Sequence, residues 1–372
     1  MATQDFSDKG QPVLETVVQQ SILQQVEAVV EQLPQQTVMS QPHPYLSLQL
    51  PPNTPFELKL SPDKGWGAFT TRPIPTGTLI LQEAPLFIIS KPHTEIIETD
   101  ISNAVKQLAL HEIEQFDRLR YNGGQRFTHL THACAENSSS LPKPSGVQHH
   151  GFFVLLSRLN HSCMPNSNIP DTNIEGDVIA CFATRDIAIG EEITFCYNED
   201  FACRTRQERH RALRFMCACS ACEASASAQE LSDLRRRLMR GLHYLTHGED
   251  TVCGLGMEST APVISDARLR AAGEDFKTPI SGRFVHTILI MYLLEVEGLM
   301  DNFMEARMGP SIEHTAALFV TESNAKIARL AMAQETWLGK LSVAARLYGR
   351  VDANDAFVTA GLRMIHERPE LR

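Results

Sequence analysis

The sequence predicts an α+β protein: a β-rich domain of short strands and hairpins carrying a helical insert, then a cysteine-bearing segment, then an all-α domain. Three observations predict this. Short alternating runs punctuated by Gly and Pro, such as "FELKL", "AFTTRPI" and "TLILQEAPLFII", fill the stretch from Phe56 to Ile89 and return in "DVIACFATRDIAIGEEITFCY" at 177–197. Between them, "EIIETDISNAVKQLALHEIEQFDRLRY" at 95–121 switches to helical spacing, and "NSSSLPKPSG" after it reads as a surface loop. Beyond Cys222 apolar residues recur at helical spacing near 228–247, 283–305, 311–334, 335–348 and 354–366. No repeat of fixed period is found there, so a plain helical bundle is expected.

Residues 1–55 form a separate arm. In "ETVVQQSILQQVEAVVEQLPQQ" the residues Val17, Ile22, Leu23, Val26, Val29 and Val30 fit one helix face that Pro34 ends, and "QPHPYLSLQLPPNTP" reads as a linker. The expected organisation is therefore an arm over 1–55, a β-rich domain over 56–200 with its helical insert at about 92–150, a cysteine segment over 201–226 and a helical domain over 227–372. A chain of 372 residues is longer than one hydrophobic core usually serves, which agrees with such a division.

The formal charge of -10 argues against broad coating of nucleic acid or anionic membrane, and direct nucleic-acid binding is not predicted. The start "MATQDFSDKG" has no basic-then-apolar signal, and the longest apolar run, "TILIMYLLEV" at 287–296, is about half of what a membrane helix needs. A nuclear or cytoplasmic location, no membrane association and a monomeric state are expected. The basic runs "RTRQERHRALR" at 204–214 and "LRRRLMR" at 234–240 allow two readings: a solvated helix face, or a contact for an acidic partner.

In a reducing compartment nine cysteines point to metal before disulfides. "FMCACSACEA" holds Cys217, Cys219 and Cys222, three thiols on one tight turn that need a single further ligand to complete a tetrahedral zinc site. Cys134, Cys163, Cys181, Cys196, Cys203, Cys253, His132 and His210 are the alternatives. Cys163 is the strongest, because it lies in the turn-rich "LNHSCMPN", whereas Cys181 and Cys196 sit in apolar runs that suit core cysteines. His161 beside Cys163 also invites reading as a base and nucleophile, but no third orienting group accompanies them.

Four motifs now stand in order: "KGWGAF" at 64–69, "RLNHSCMPN" at 158–166, "GEEITFCY" at 190–197, and the C-x-C-x-x-C run. Over residues 56–223 the chain resembles the SET-domain protein lysine methyltransferases with a post-SET zinc segment. The likeness is nearest to the SET and MYND domain (SMYD) group, in which an all-helical domain follows. It departs from that group between Phe87 and Gly151, where the cysteine-histidine set of a MYND zinc finger is missing.

The resemblance implies transfer of methyl groups from S-adenosylmethionine to a lysine of a histone or other protein, with one structural Zn²⁺. It implies Tyr197 as the catalytic residue. Lys64, Gly65, Trp66, Gly67, Asn160, His161 and Phe215 would bind the cofactor, the loop by close backbone approach and Phe215 against the adenine. Phe195 would line the lysine channel, and Cys163, Cys217, Cys219 and Cys222 would hold the zinc. A catalytically idle SET scaffold that binds or regulates is the alternative.

Overall fold

Alternation of apolar and charged side chains makes the first hairpin. In β1 (Phe56–Ser61) Phe56 and Leu58 turn inward while Glu57 and Lys59 face water, and β1 pairs antiparallel with β2 (Gly65–Thr70) from Phe56↔Thr70 to Ser61↔Gly65. Gly65 closes the connection at φ 78°, a backbone angle that suits glycine. The computed structural model describes residues 42–368 apart from 63, 122–123, 142–147, 171–176 and 253–261. The helix expected in the N-terminal arm, and Cys253, lie outside the described residues.

Most other pairings in this half join distant segments. β3 (Leu79–Glu83) pairs with β9 (Ile179–Ala183), which also carries β8 (Ser167–Asn168). β6 (His149–Phe152) lies between β4 (Ile88–Ile89) and β5 (Ser138–Leu141). β7 (Asn160–His161) runs parallel to β10 (Thr194–Phe195). Two expectations change here. Residues 138–141 are a strand and not a loop, because Leu141 is buried and the serines pair from Ser138↔Phe152 to Leu141↔His149. The segment 177–197 is also not a simple hairpin, since β9 and β10 each pair with strands elsewhere.

The insert supplies α1 (Glu98–Val105), α2 (Leu110–Arg118) and α3 (Leu130–Asn137). Carboxylates fix their starts: Asp100 accepts from the Ile97 amide, Glu112 from the Ala109 amide, and Glu98 from the Leu130 and Thr131 amides at the start of α3. A shared core of Phe56, Leu58, Ile80, Phe152, Phe153 and Leu159 lies under these strands.

The chain continues as α4 (Arg206–Leu213), α5 (Ala226–His247), α6 (Ala267–Glu274), α7 (Ile280–Val296), α8 (Asn302–Ala317), α9 (Glu322–Met332), α10 (Trp337–Ala344) and α11 (Asp355–Glu367). α7 is apolar on most faces because the others pack around it, with Phe284, Ile288 and Met291 buried. No described helix is long and apolar enough to cross a membrane.

The expected helices at 283–305 and 311–334 each prove to be two. Gly298, at φ 67°, ends the first, and the Asp301 carboxylate caps α8 by accepting from the Met304 amide. The second is broken where Asp352 accepts from the Val320 and Thr321 amides. α6 lies outside all the expected blocks.

Residues Pro44–Arg372 pack as one compact unit. Several contacts tie the β-rich half to the helices. Asn168 donates to Asp301 at 3.1 Å, the Arg236 guanidinium donates to the Phe201 carbonyl at 2.7 Å, and Met164 lies against the turn at Gly298.

Candidate active site and metal centre

Parallel pairing of β7 with β10 brings the two central motifs together. The Ser162 amide donates to the Phe195 carbonyl, and the Tyr197 amide donates to His161 Nδ1 at 3.2 Å. Asn166, 1% exposed, fastens the crossing. Its side-chain oxygen accepts from the Thr194 amide at 2.8 Å, and its nitrogen donates to the Glu192 carbonyl at 2.8 Å and to Glu191 Oε1 at 2.9 Å.

The residues read as a cofactor cradle converge on this crossing. Asn160 Nδ2 donates to the Trp66 carbonyl at 3.2 Å and to Glu192 Oε1 at 2.7 Å, and Lys64 Nζ reaches Glu192 Oε2 at 2.9 Å. A Cβ on Gly67 would lie 2.4 Å from Glu192 Oε1 and 2.8 Å from Asn160 Nδ2. The glycine is therefore required by the protein's own side chains, which refines the expectation that it makes room for a ligand. Trp66 contributes its backbone; its ring packs edge-on against Tyr45 at 5.9 Å. Glu192, which no local pattern singles out, is the hub of this group.

His161 sits at the centre of an aromatic cluster, with ring centroids 5.1 Å from Tyr197, 5.4 Å from Phe201 and 6.3 Å from Phe215. Burial pushes its imidazole down to about 4, so the ring is neutral at physiological pH. Nδ1 accepts from the Tyr197 amide, which places the proton on Nε2, 3.3 Å from Cys163 Sγ. The pair considered above as base and nucleophile is thus formed in space. Both side chains are buried, however, and the sulfur lies among three further thiols.

Tyr197 lies 5.0 Å from Phe195, ring to ring, and donates to the Leu159 carbonyl at 3.2 Å. Although 42% of the residue is exposed, it lies in a recess, and loss of hydration there pushes the phenol up to about 12. It is a neutral hydrogen-bond donor near pH 7. Phe215 is 46% exposed and packs edge-on against His161.

The four sulfurs of Cys163, Cys217, Cys219 and Cys222 all lie within 4.8 Å of one another. A tetrahedral site with metal–sulfur bonds of about 2.3 Å has sulfur–sulfur edges of roughly 3.8 Å. Cys163 and Cys222 are 3.6 Å apart, so the donor set and its spacing suit a divalent thiophilic ion. Among the described alternatives, Cys181 is buried in β9, and Cys134, Cys196, Cys203, His132 and His210 stand outside the cluster. Crowding divides the thiols' acidities. Hydrogen bonds with its three neighbours push Cys163 up, whereas Cys163 hydrogen bonds hold Cys219 far down and Cys217 at about 6. A dication at the centre would let all four ionise.

The reading of the basic runs as a solvated face is corrected in part, since Arg211, Arg214 and Arg237 are exposed but four other arginines are not. Arg204, Arg209, Arg236 and Arg240 are buried: Arg204 pairs with Asp200, Arg236 with Glu297, and Arg240 with Asp250. These arginines are internal to the fold and face neither solvent nor an outside partner.

Residues 65–198 match the SET domain. The histone-lysine N-methyltransferase set5 of Schizosaccharomyces pombe is 34% identical over 182 residues, which is 47% of this chain and 53% of that protein. The protein-lysine N-trimethyltransferase SMYD5 of Mus musculus is 41% identical over 85 residues, 20% of this chain and 19% of its own. The human histone-lysine N-methyltransferase SMYD3 is 39% identical over 77 residues, 20% of this chain and 17% of its own. A crystal structure of a Plasmodium falciparum protein described as a putative histone methyltransferase overlays 41% of this chain and 96% of its own at 15% identity with a TM-score of 0.24, too loosely to bear on the fold. Residues 65–198 of this chain are thus similar to the SET domain, and the relatives that match it are set5 and SMYD methyltransferases. The chain spans about half the length of set5 in the matched region and less of the SMYD proteins.

Asn166→Ala strands the Thr194 amide and the Glu192 carbonyl in the interior. It should lower stability by about 3 kcal/mol, the upper end of the usual penalty for such groups, as read by denaturant unfolding; a loss well under 1 kcal/mol would show that the crossing does not depend on this side chain.

Proposed function

We propose that the protein is an S-adenosylmethionine-dependent protein-lysine N-methyltransferase with one structural zinc ion. The observation that carries the reading is the convergence, within the region that matches the SET domain, of Asn160, His161 and Tyr197 at one strand crossing, with Lys64 joined to it through Glu192 and Phe215 beside His161. When bound, S-adenosylmethionine supplies an electrophilic methyl group on a sulfonium.

This crossing offers complementary chemistry for that molecule. Phe215 gives an aromatic face for an adenine, Lys64 a cation for a carboxylate, and Asn160 and Glu192 polar partners for an ammonium. Tyr197 holds its phenol proton and acts by orientation, aiming a hydroxyl dipole at the reacting centre. Its depressed acidity excludes it as a general base near neutral pH. Alignment of a neutral amine with the methyl group, away from water, then supplies most of the acceleration.

The lysine side is suggested by a cavity of about 230 Å³ between the SET domain and the helices. Cys196 and Phe201, flanking Tyr197 in the chain, line it together with Ile169, Leu294 and Phe303, and Glu199 stands at its wall. Apolar walls suit a lysine's methylene stem and favour its uncharged amine. Phe195, in place of a hydroxyl-bearing tyrosine beside Tyr197, leaves room for more than one methyl group. The partner is a protein with an accessible lysine, histone or otherwise. We further propose a monomer located in the nucleus or cytoplasm, organised along the boundaries expected from the sequence except that the chain joins the β-rich core from Pro44, with Tyr45 and Leu48 buried in it.

Zinc would pin the segment that carries Phe215 to the SET core through Cys163. Its role is mechanical, since the thiol cluster is buried behind His161.

Incubating the purified chain with radiolabelled S-adenosylmethionine and a whole-cell lysate should label a protein band. Tyr197→Phe should cut the rate by at least about 100-fold, the effect of removing one preorganised donor, with cofactor affinity retained. Cofactor binding without any labelling would favour an idle scaffold. Metal analysis should return one equivalent of zinc, and Cys163→Ala should lose it as fully as Cys219→Ala; full retention by the Cys163 variant would remove that residue from the ligand set.

A further inference from the structure

Arg209 is among the most completely buried side chains of the described residues, at 1% exposed, yet no carboxylate among them pairs with it. Its three bonds go elsewhere. Nη1 donates to the Arg204 carbonyl at 2.8 Å, Nε to Cys163 Sγ at 3.2 Å, and Nη2 to Cys222 Sγ at 3.6 Å. Arg236, equally buried, has Glu297 beside it. A guanidinium out of water requires an anion, and neutral thiols are poor acceptors. The side-chain groups that face Arg209 are two of the four clustered sulfurs.

We propose that Arg209 is a positioning residue of the metal centre, fixing Cys163 and Cys222 through N–H···S bonds and offsetting the excess charge of a tetrathiolate site. The inference rests on the zinc assignment above. Four thiolates around a divalent ion leave two negative charges in the interior, and one arginine removes half of them. With His161 Nε2–H on its other side, Cys163 Sγ receives two donors, so its lone pairs are directed before any ion arrives. Lysine could not do the same work, because the three acceptors lie in different directions that only a guanidinium fork spans.

Local structure sets the register. Thr205 and Glu208 form a reciprocal cap, with the Thr205 amide donating to Glu208 Oε2 at 2.7 Å and the Glu208 amide to Thr205 Oγ1 at 3.3 Å. The Arg209 amide then bonds the Thr205 carbonyl at 2.9 Å, which starts α4 with Arg209 on its inner face. α4 ends at Arg214, with φ 61°, three residues before Cys217.

The test uses full-length Arg209→Met and Arg209→Lys proteins. Zinc affinity is measured by competition with a chromogenic chelator, and the thiolate-to-metal absorption band is recorded after cobalt(II) substitution. Arg209→Met should weaken zinc binding by roughly 10–100-fold, the range for loss of an outer-sphere partner, and shift the cobalt band. Arg209→Lys, which keeps the charge and folds if charge alone is needed, should recover only part of the affinity. Folded variants that hold zinc within threefold of the wild type and show an unchanged cobalt band would overturn the proposal. A wild-type protein that binds no zinc would instead overturn the metal assignment itself.

Discussion

The site depends on one crossing: a two-residue parallel pairing, Asn160–His161 on Thr194–Phe195, locked by the side chain of Asn166. So short a ladder has little stability of its own. Its strength comes from side chains that reach across it. Asn160 meets Glu192, the His161 ring accepts from the Tyr197 amide, and Asn166 satisfies both backbone groups opposite it. Every residue assigned to chemistry lies on one of the two crossing segments or packs against them.

Charge is handled in the interior with similar economy. An acidic chain buries four arginines around the junction of SET domain and helices, and each has a distinct counterpart. Arg204, Arg236 and Arg240 have carboxylates, whereas Arg209 has sulfurs. Glu83 is the inverse case: desolvation raises its pKa, and three backbone amides of residues 154–156 hold the carboxyl just before the central motif. Buried ionic groups of this kind add little net stability but penalise alternative packings strongly. That suits a site whose parts come from distant stretches of chain.

Much of this was legible in the sequence because it is local. Alternation marked β1 and β2, helical spacing marked the bundle, and the C-x-C-x-x-C run marked three of the four clustered thiols. "LNHSCMPN" stood out by its concentration of chemistry. What escaped was long-range: Glu192 as the partner of Lys64, 128 residues away, and Arg209 as the partner of Cys163, 46 residues away, have no local pattern. The arginine runs look like a solvated face until the helices place some of them inward. Gly67 reads as a turn glycine until Glu192 occupies the volume of its missing side chain.

One short segment thus serves three structures. Asn160 meets Glu192, His161 the Tyr197 amide, Cys163 the thiol cluster, and Met164 the turn at Gly298. The central claim is that metal and cofactor sites are coupled through His161 and Cys163. Titrating S-adenosylmethionine into zinc-loaded and chelator-stripped protein by calorimetry tests it most directly. The account predicts that stripped protein, still folded by circular dichroism, binds the cofactor at least about tenfold more weakly, a coupling of roughly 1.4 kcal/mol. Equal affinity in the two forms would contradict it.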